Sequence, residues 1–365
     1  MRADTRPCPP VLRGSSVRPR LNAAFFGLLL AATLGAAGCG GGSAGPTAGT
    51  GTGGASAGSG GAISSGGAPA TGSGGAANAT GGRSAGSGGR AAGTGGTSAS
   101  GGATGAGGTP APAAGCNAAT WPPSNDQSGG TPTALDVGGM QRQFYLSVPA
   151  GYSSATPTRV VFAWHWRGGN ARNVIGNTFG GGPYYGLKSR IPDAIYVAAE
   201  GLVDNGTTGW ANTGGRDINF LKAMLAWLDA NYCVDKTRIF STGFSYGGIM
   251  SDTIACQLGS TFRAIAPIAG STFGGARGCV NQKVAALMIH GSADETLPIS
   301  GGQAARDYQL TTNHCTMTTM PSEPSPCVTY TGCDAGYPVV WCEHTGGHTV
   351  PSFSPTAIAP FFLQF

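Results

Sequence analysis

An α/β fold built on a mostly parallel sheet is predicted by three observations. Short apolar runs at 159–164 (RVVFAW), 194–198 (AIYVA), 264–269 (AIAPIA) and 284–290 (VAALMIH) have the composition of strands covered on both faces. Segments with helical spacing stand between them. The stretch 239–250 (IFSTGFSYGGIM) runs from an apolar strand through a GxSxG turn into a helix. Strands alternating with helices belong to a parallel sheet with helices on both faces, and an active site is expected at the carboxyl ends of its strands.

That fold occupies only the last 250 residues, because composition removes the first 115. Five arginines precede the apolar run 23–34, which is too short to span a membrane and has the layout of a secretory signal. Cys39 follows Gly38 where a lipoprotein signal carries its acylated cysteine, so residues 1–39 read as a signal of that type. A soluble secreted product cleaved near Ala37 is the alternative. Residues 40–115 are almost wholly Gly, Ser, Ala and Thr, cannot bury enough surface to offset their ordering entropy, and read as a disordered linker. As a coil it reaches roughly 45 to 50 Å.

Residues 116–365 hold fourteen basic and fifteen acidic residues, a balance of −1 that carries no nucleic-acid footprint. Eight cysteines fall in this region, an even number that reads as a disulfide framework in an exported domain, and their spacings do not resemble a metal-ligand set.

Within the domain, 143–148 alternates as a strand. Asp217 is placed to cap a helix over 218–230 with Leu221, Met224, Leu225 and Leu228 on one face. The elbow strand spans 238–242 and its helix 246–257, with a further helix over 302–313. Segments 328–330 and 338–341 can pair as a hairpin.

A serine hydroxyl needs a base, and the base an orienting acid. In this fold the order is Ser, acid, His. After Ser245, the loop ending the strand at His290 carries Asp294, and Gly346-Gly347-His348 follows the hairpin, so Ser245, Asp294 and His348 are the expected set. Glu295 and His344 are the alternatives for acid and base. His290 reads as a buried imidazole bonded across the strand tops. The Tyr246 amide is one expected oxyanion donor, and Trp166 the other, ahead of Arg167. Chemistry of this kind requires no cofactor and no metal. A catalytically dead binding module would show a broken set, and all three residues are present.

Several motifs together, HWRGGN at 165–170, YYGLK at 184–188, WANTGGRD at 210–217, GFSYGG at 243–248 and YTGCDAGYP at 330–338, resemble secreted feruloyl esterases of the C type. These are relatives of carbohydrate esterase family 1, the acetylxylan esterases and the poly(3-hydroxybutyrate) depolymerases. The resemblance implies an α/β-hydrolase fold and release of hydroxycinnamic acids from feruloylated plant polysaccharide through Ser245, Asp294 and His348. Acetylxylan or polyester hydrolysis is the alternative. A flat phenolic acid needs aromatic walls, for which Tyr184, Tyr185 and Trp210 are the candidates. The family pattern needs only Cys333 in the hairpin, and Cys327 and Cys342 fall nearly opposite each other across it. The pairs expected are Cys327 with Cys342, Cys315 with Cys333, Cys256 with Cys279, and Cys116 with Cys233.

Overall fold

The computed structural model describes residues 111–179, 181–272 and 279–365. The signal segment, Cys39 and the small-residue linker up to residue 110 lie outside the described residues. The chain enters the sheet as an antiparallel pair, β1 (Thr133–Val137) and β2 (Met140–Ser147), turned by Gly138 and Gly139, both at positive φ. Then come β3 (Thr158–Trp164), the short helix α1 (Ala171–Ile175) and β4 (Ile195–Ala199). A separate two-stranded ribbon, β5 (Leu202–Asp204) and β6 (Thr207–Gly209), leads to α2 (Arg216–Asn231). The elbow strand β7 (Val234–Phe244) feeds α3 (Tyr246–Leu258), followed by β8 (Ala264–Ile268), β9 (Ala285–Gly291) and α4 (Ile299–Thr312). The chain closes with β10 (Thr319–Pro321), β11 (Cys327–Tyr330), β12 (Val339–His344) and α5 (Ser354–Leu363).

The main sheet has the order β1-β2-β4-β3-β7-β8-β9-β12-β11-β10, parallel from β4 through to β12 and antiparallel at both margins. Period-two alternation divides each central strand between two cores: Val160, Phe162 and Trp164 of β3 face one, Val161 and Ala163 the other. Helices α2, α3 and α4 cover the first core, and α1 and α5 the second. Burial on both faces is why these strands read as unbroken apolar runs.

The expected hairpin is half of a larger arrangement. β12 pairs with β11, and its other edge lies parallel to β9, with Glu343 opposite His290. That pairing brings the end of β12 beside the end of β9. A second difference concerns Asp217, which does not cap α2. Gly215 holds the cap position, while the buried Asp217 carboxylate accepts Arg142 Nη2 at 2.9 Å and the Asn212 amide at 2.7 Å. β2 and α2 are thereby clamped, and removing either partner would strand a buried charge.

Four disulfides close the domain: Cys116–Cys233, Cys256–Cys279, Cys315–Cys333 and Cys327–Cys342. Cys327 and Cys342 are register partners across β11 and β12. The first bridge spans a sequence separation of 117 and the last 15. By loop-closure entropy, serine pairs replacing Cys116 and Cys233 should lose about 4 to 5 kcal/mol, against about 3 for Cys327 and Cys342. Denaturant unfolding of the two double variants measures the order, and a larger loss at the shorter loop would contradict it.

Candidate active site

The elbow follows from close backbone approach. Ser245 sits at φ 57°, ψ −116°, outside the comfortable range of a side-chain-bearing residue. A Cβ on Gly243 would lie 2.6 Å from the Gly247 carbonyl. On Gly247 it would overlap the carbonyl oxygen of Trp164. The two glycines of GxSxG are therefore required because the ends of β3 and β7 and the first turn of α3 touch through bare backbone. The Ser245 amide donates to Ile268 O at 2.9 Å, and its carbonyl accepts the Ile249 amide at 2.9 Å, locking the turn between strand and helix.

The loops after β7, β9 and β12 bring Ser245, Asp294 and His348 together. His348 Nε2 lies 2.8 Å from Ser245 Oγ, and His348 Nδ1 lies 2.6 Å from Asp294 Oδ2. The carboxylate can only accept, so Nδ1 carries the proton and Nε2 receives the serine hydroxyl. Asp294 Oδ1 accepts the amides of Thr296 at 2.9 Å and Leu297 at 2.8 Å. Burial alone would raise this carboxyl, but the hydrogen bonds from His348 and the two amides together outweigh it and hold it below the usual carboxylate range.

The alternative partners stand elsewhere. Glu295 is exposed. His344 Nδ1 accepts the Gly346 amide at 3.1 Å, supporting the turn before His348. His290 is buried and donates from Nε2 to Leu297 O at 2.9 Å, 3.6 Å from Asp294 Oδ2, so it braces the acid loop rather than bonding across the strand tops. Burial lowers its pKa and keeps it neutral.

From the last residue of β3 onward, three successive carbonyls are held by side chains. Trp164 O accepts the Tyr185 hydroxyl at 2.6 Å, His165 O accepts Trp210 Nε1 at 2.8 Å, and Trp166 O accepts His165 Nδ1 at 2.7 Å. His165 Nε2 accepts the Gly201 amide at 2.9 Å, fixing the tautomer. The carbonyls of Trp164 and His165 in this segment pack against Gly247, two residues after the serine. Burial lowers the His165 pKa to about 4.

The expected aromatic walls are corrected by these contacts. Tyr184 is fully buried, its hydroxyl donating to Asp126 Oδ2 at 3.2 Å and its ring tilted on Tyr196. Tyr185 and Trp210 spend their polar tips on the backbone at the end of β3, as buried aromatics with a polar handle must. Trp210 still reaches a cavity of about 450 Å³ that it lines together with Tyr246, Ile249, Asp252 and Gln309. The sequence reading missed a second aromatic group. Phe244 lies 4.8 Å from the His348 ring and packs on Phe179 at 5.1 Å, which in turn meets Trp166 at 4.7 Å. Phe244 stands inside GFSYG itself, where its strand-end position was the available signal. Among the described residues no cluster of three or more His, Cys, Asp or Glu could hold a metal ion.

Residues 204–273, which include the elbow, match the prolyl oligopeptidase family. Over 234 residues the chain is 36% identical to feruloyl esterase C of Emericella nidulans, covering 61% of this chain and 84% of that protein. It is 34% identical over 262 residues to feruloyl esterase D of Neurospora crassa, covering 69% and 87%. Among solved structures, an acetyl xylan esterase from Aspergillus awamori superposes with a TM-score of 0.49 at 18% identity, over 64% of this chain and 99% of that one.

Two outcomes follow from the packing. Gly247→Ala should cost at least the upper end of the roughly 1 to 3 kcal/mol range for overpacking and lower esterase activity more than tenfold; an unchanged melting temperature would contradict the contact with Trp164. For His165, the unfolded chain takes up a proton near pH 6.5 and the folded chain only near 4, so stability falls as pH drops through that window by about 3 kcal/mol. His165→Gln should flatten the slope measured by denaturant unfolding between pH 6.5 and 4, and a slope equal to that of the parent would refute the assignment.

Proposed function

The chain belongs to the feruloyl esterase family, and on that premise we propose that it releases hydroxycinnamic acids from feruloylated plant polysaccharide, with Ser245 as nucleophile. It is a carboxylic ester hydrolase. The observation that carries the assignment of roles is the chain of hydrogen bonds from Ser245 through His348 to Asp294, at 2.8 and 2.6 Å, set on a positive-φ elbow.

In the proposed reaction His348 Nε2 takes the Ser245 proton as Oγ attacks the ester carbonyl carbon. The carbonyl π electrons move to oxygen, and the tetrahedral oxyanion is met by the Tyr246 and Trp166 amides, each worth about 3 to 4 kcal/mol in the barrier. The intermediate collapses as His348 protonates the departing sugar oxygen, leaving an acyl-enzyme on Ser245. Water, deprotonated by His348, attacks that ester in turn and frees the acid. Asp294 stays ionised throughout, which its depressed pKa supports, and stabilises the imidazolium. Phe244 beside His348, backed by Phe179 and in turn Trp166, provides an apolar surface next to the catalytic base.

Four disulfides fit an exported domain. The finer proposal is that the domain is held at the cell surface by lipid on Cys39, with the linker over 40–115 as a tether that lets it search an insoluble polymer.

With methyl ferulate, acetylated xylan and a short-chain nitrophenyl ester as substrates, the enzyme should release ferulate, and Ser245→Ala should lower kcat by about 10⁶ while leaving the fold intact. Residual activity within tenfold of the parent would remove Ser245 from its role. Acetate release without ferulate would transfer the substrate to the acetyl esters.

A further inference from the structure

The ribbon of β5 and β6 is not part of the main sheet. Its strands have 3 residues each, joined by Asn205 and Gly206 at positive φ, and a two-stranded ribbon of that size does not persist unsupported in water. Its support comes from the turn that follows β3. Gly168 donates its amide to Thr208 O at 2.9 Å, and Thr208 Oγ1 donates to Gly169 O at 2.7 Å. The residues flanking the ribbon extend the contact, Gly201 through its amide to His165 Nε2 and Trp210 through Nε1 to His165 O. Arg216 Nη2 pairs with Asp204 Oδ2 at 3.0 Å and ties the ribbon to the start of α2.

The turn is a tight one. Gly169 donates its amide to Trp166 O at 3.0 Å, closing residues 166–169, and Gly168 supplies φ 78° at the third position, where such a turn needs it. The amides of these residues divide into two pairs. Those of Gly168 and Gly169 are spent, on Thr208 and on Trp166. Those of Trp166 and Arg167 have no acceptor among the described residues. They are the same two amides that the sequence offers for an oxyanion, so the turn satisfies its later donors internally and leaves the earlier ones unspent.

The ribbon also touches the other expected donor residue. A Cβ on Gly209 would overlap the Tyr246 ring, so β6 rests through bare backbone on the first residue of α3.

Resting on the esterase reading above, in which these amides meet the oxyanion, we infer that Thr208 is a positioning residue for the reaction: its hydroxyl and its carbonyl grip the 166–169 turn and fix the aim of the Trp166 amide. Thr208 acts only through the turn. A donor serves an oxyanion within a narrow range of distance, about 2.7 to 3.1 Å, so a turn released on one side loses stabilisation of the transition state more than binding of the ground state.

The test gives the full chain two esters that differ in one atom, methyl ferulate and its thionoester, in which sulfur replaces the carbonyl oxygen and accepts hydrogen bonds poorly. The ratio of their kcat/KM values, divided by the same ratio for hydroxide in solution, reads the alignment of the donors. A mere loss of folded protein leaves that ratio unmoved. The parent should favour the oxygen ester by at least about tenfold. Thr208→Val removes the hydroxyl at nearly the same shape. It should lower kcat for methyl ferulate and the ratio by about tenfold each, with KM within about twofold, short of the roughly 10²- to 10³-fold loss when a donor is deleted outright. Thr208→Ser, which keeps the hydroxyl, should recover most of both. An unaltered ratio in Thr208→Val, or a raised KM at unchanged kcat, would overturn the inference and leave the esterase reading standing. A parent with no preference for the oxygen ester would defeat the oxyanion assignment along with it, and hydrolysis of neither ester would defeat the esterase reading itself. Should Thr208→Val fail to fold, Thr208→Ala removes the same hydroxyl without a branched side chain, and its ratio decides by the same outcomes.

Discussion

Three backbone segments meet at Gly247 with no room for a side chain between them. The end of β3, the end of β7 and the first turn of α3 touch there, and the contact fixes where Ser245 stands and which amides surround it. Ser245 accepts an unfavourable φ, a cost of order 1 to 3 kcal/mol, because the strands on both sides of β7 over-determine the turn. The acid and base then need only loops that end beside it. β9 and β12 supply them because they are parallel neighbours, so that the loops after them emerge at one edge of the sheet.

A second level of support lies in the polar tips of buried aromatics. Tyr185, Trp210 and His165 each hold one carbonyl of the segment at the end of β3. Backbone groups oriented in this way need no reorganisation when charge develops on a bound ester, which is where electrostatic catalysis gains most. His165 serves this purpose as a neutral imidazole, and the burial that keeps it neutral also removes it from proton transfer. The buried ion pair of Arg142 and Asp217 fixes α2 to the opposite margin of the sheet, away from the reacting atoms.

The parts of this arrangement that were legible in the sequence are those encoded locally. Strands buried on both faces announce themselves as apolar runs, and the elbow as glycines around Ser245. The order of Asp294 and His348 after Ser245 limited the partners to a few loops. What stayed hidden depends on long-range register or on short signals. That β12 joins β9 in parallel cannot be read from a segment that also makes a convincing hairpin with β11. α1 has only 5 residues, marked by little beyond its Asn170 capping box, and α5 carries Pro360 in its interior, which argues against a helix when read locally. Tyr184, Tyr185 and Trp210 were read as pocket walls because sequence shows an aromatic ring but not the partner of its polar tip. Phe244 was read as part of the GxSxG turn, and its second role beside His348 exists only in three dimensions.

The central claim is that Ser245 carries the acyl group during ester hydrolysis. Rapid acid quench of the enzyme during turnover of an activated feruloyl ester, followed by intact-protein and peptide mass analysis, tests it most directly. A mass increase equal to one feruloyl group, confined to the peptide that contains Ser245 and absent from Ser245→Ala, is the predicted result. An adduct on another residue, or none under conditions where ferulate is released in a burst, would contradict the account.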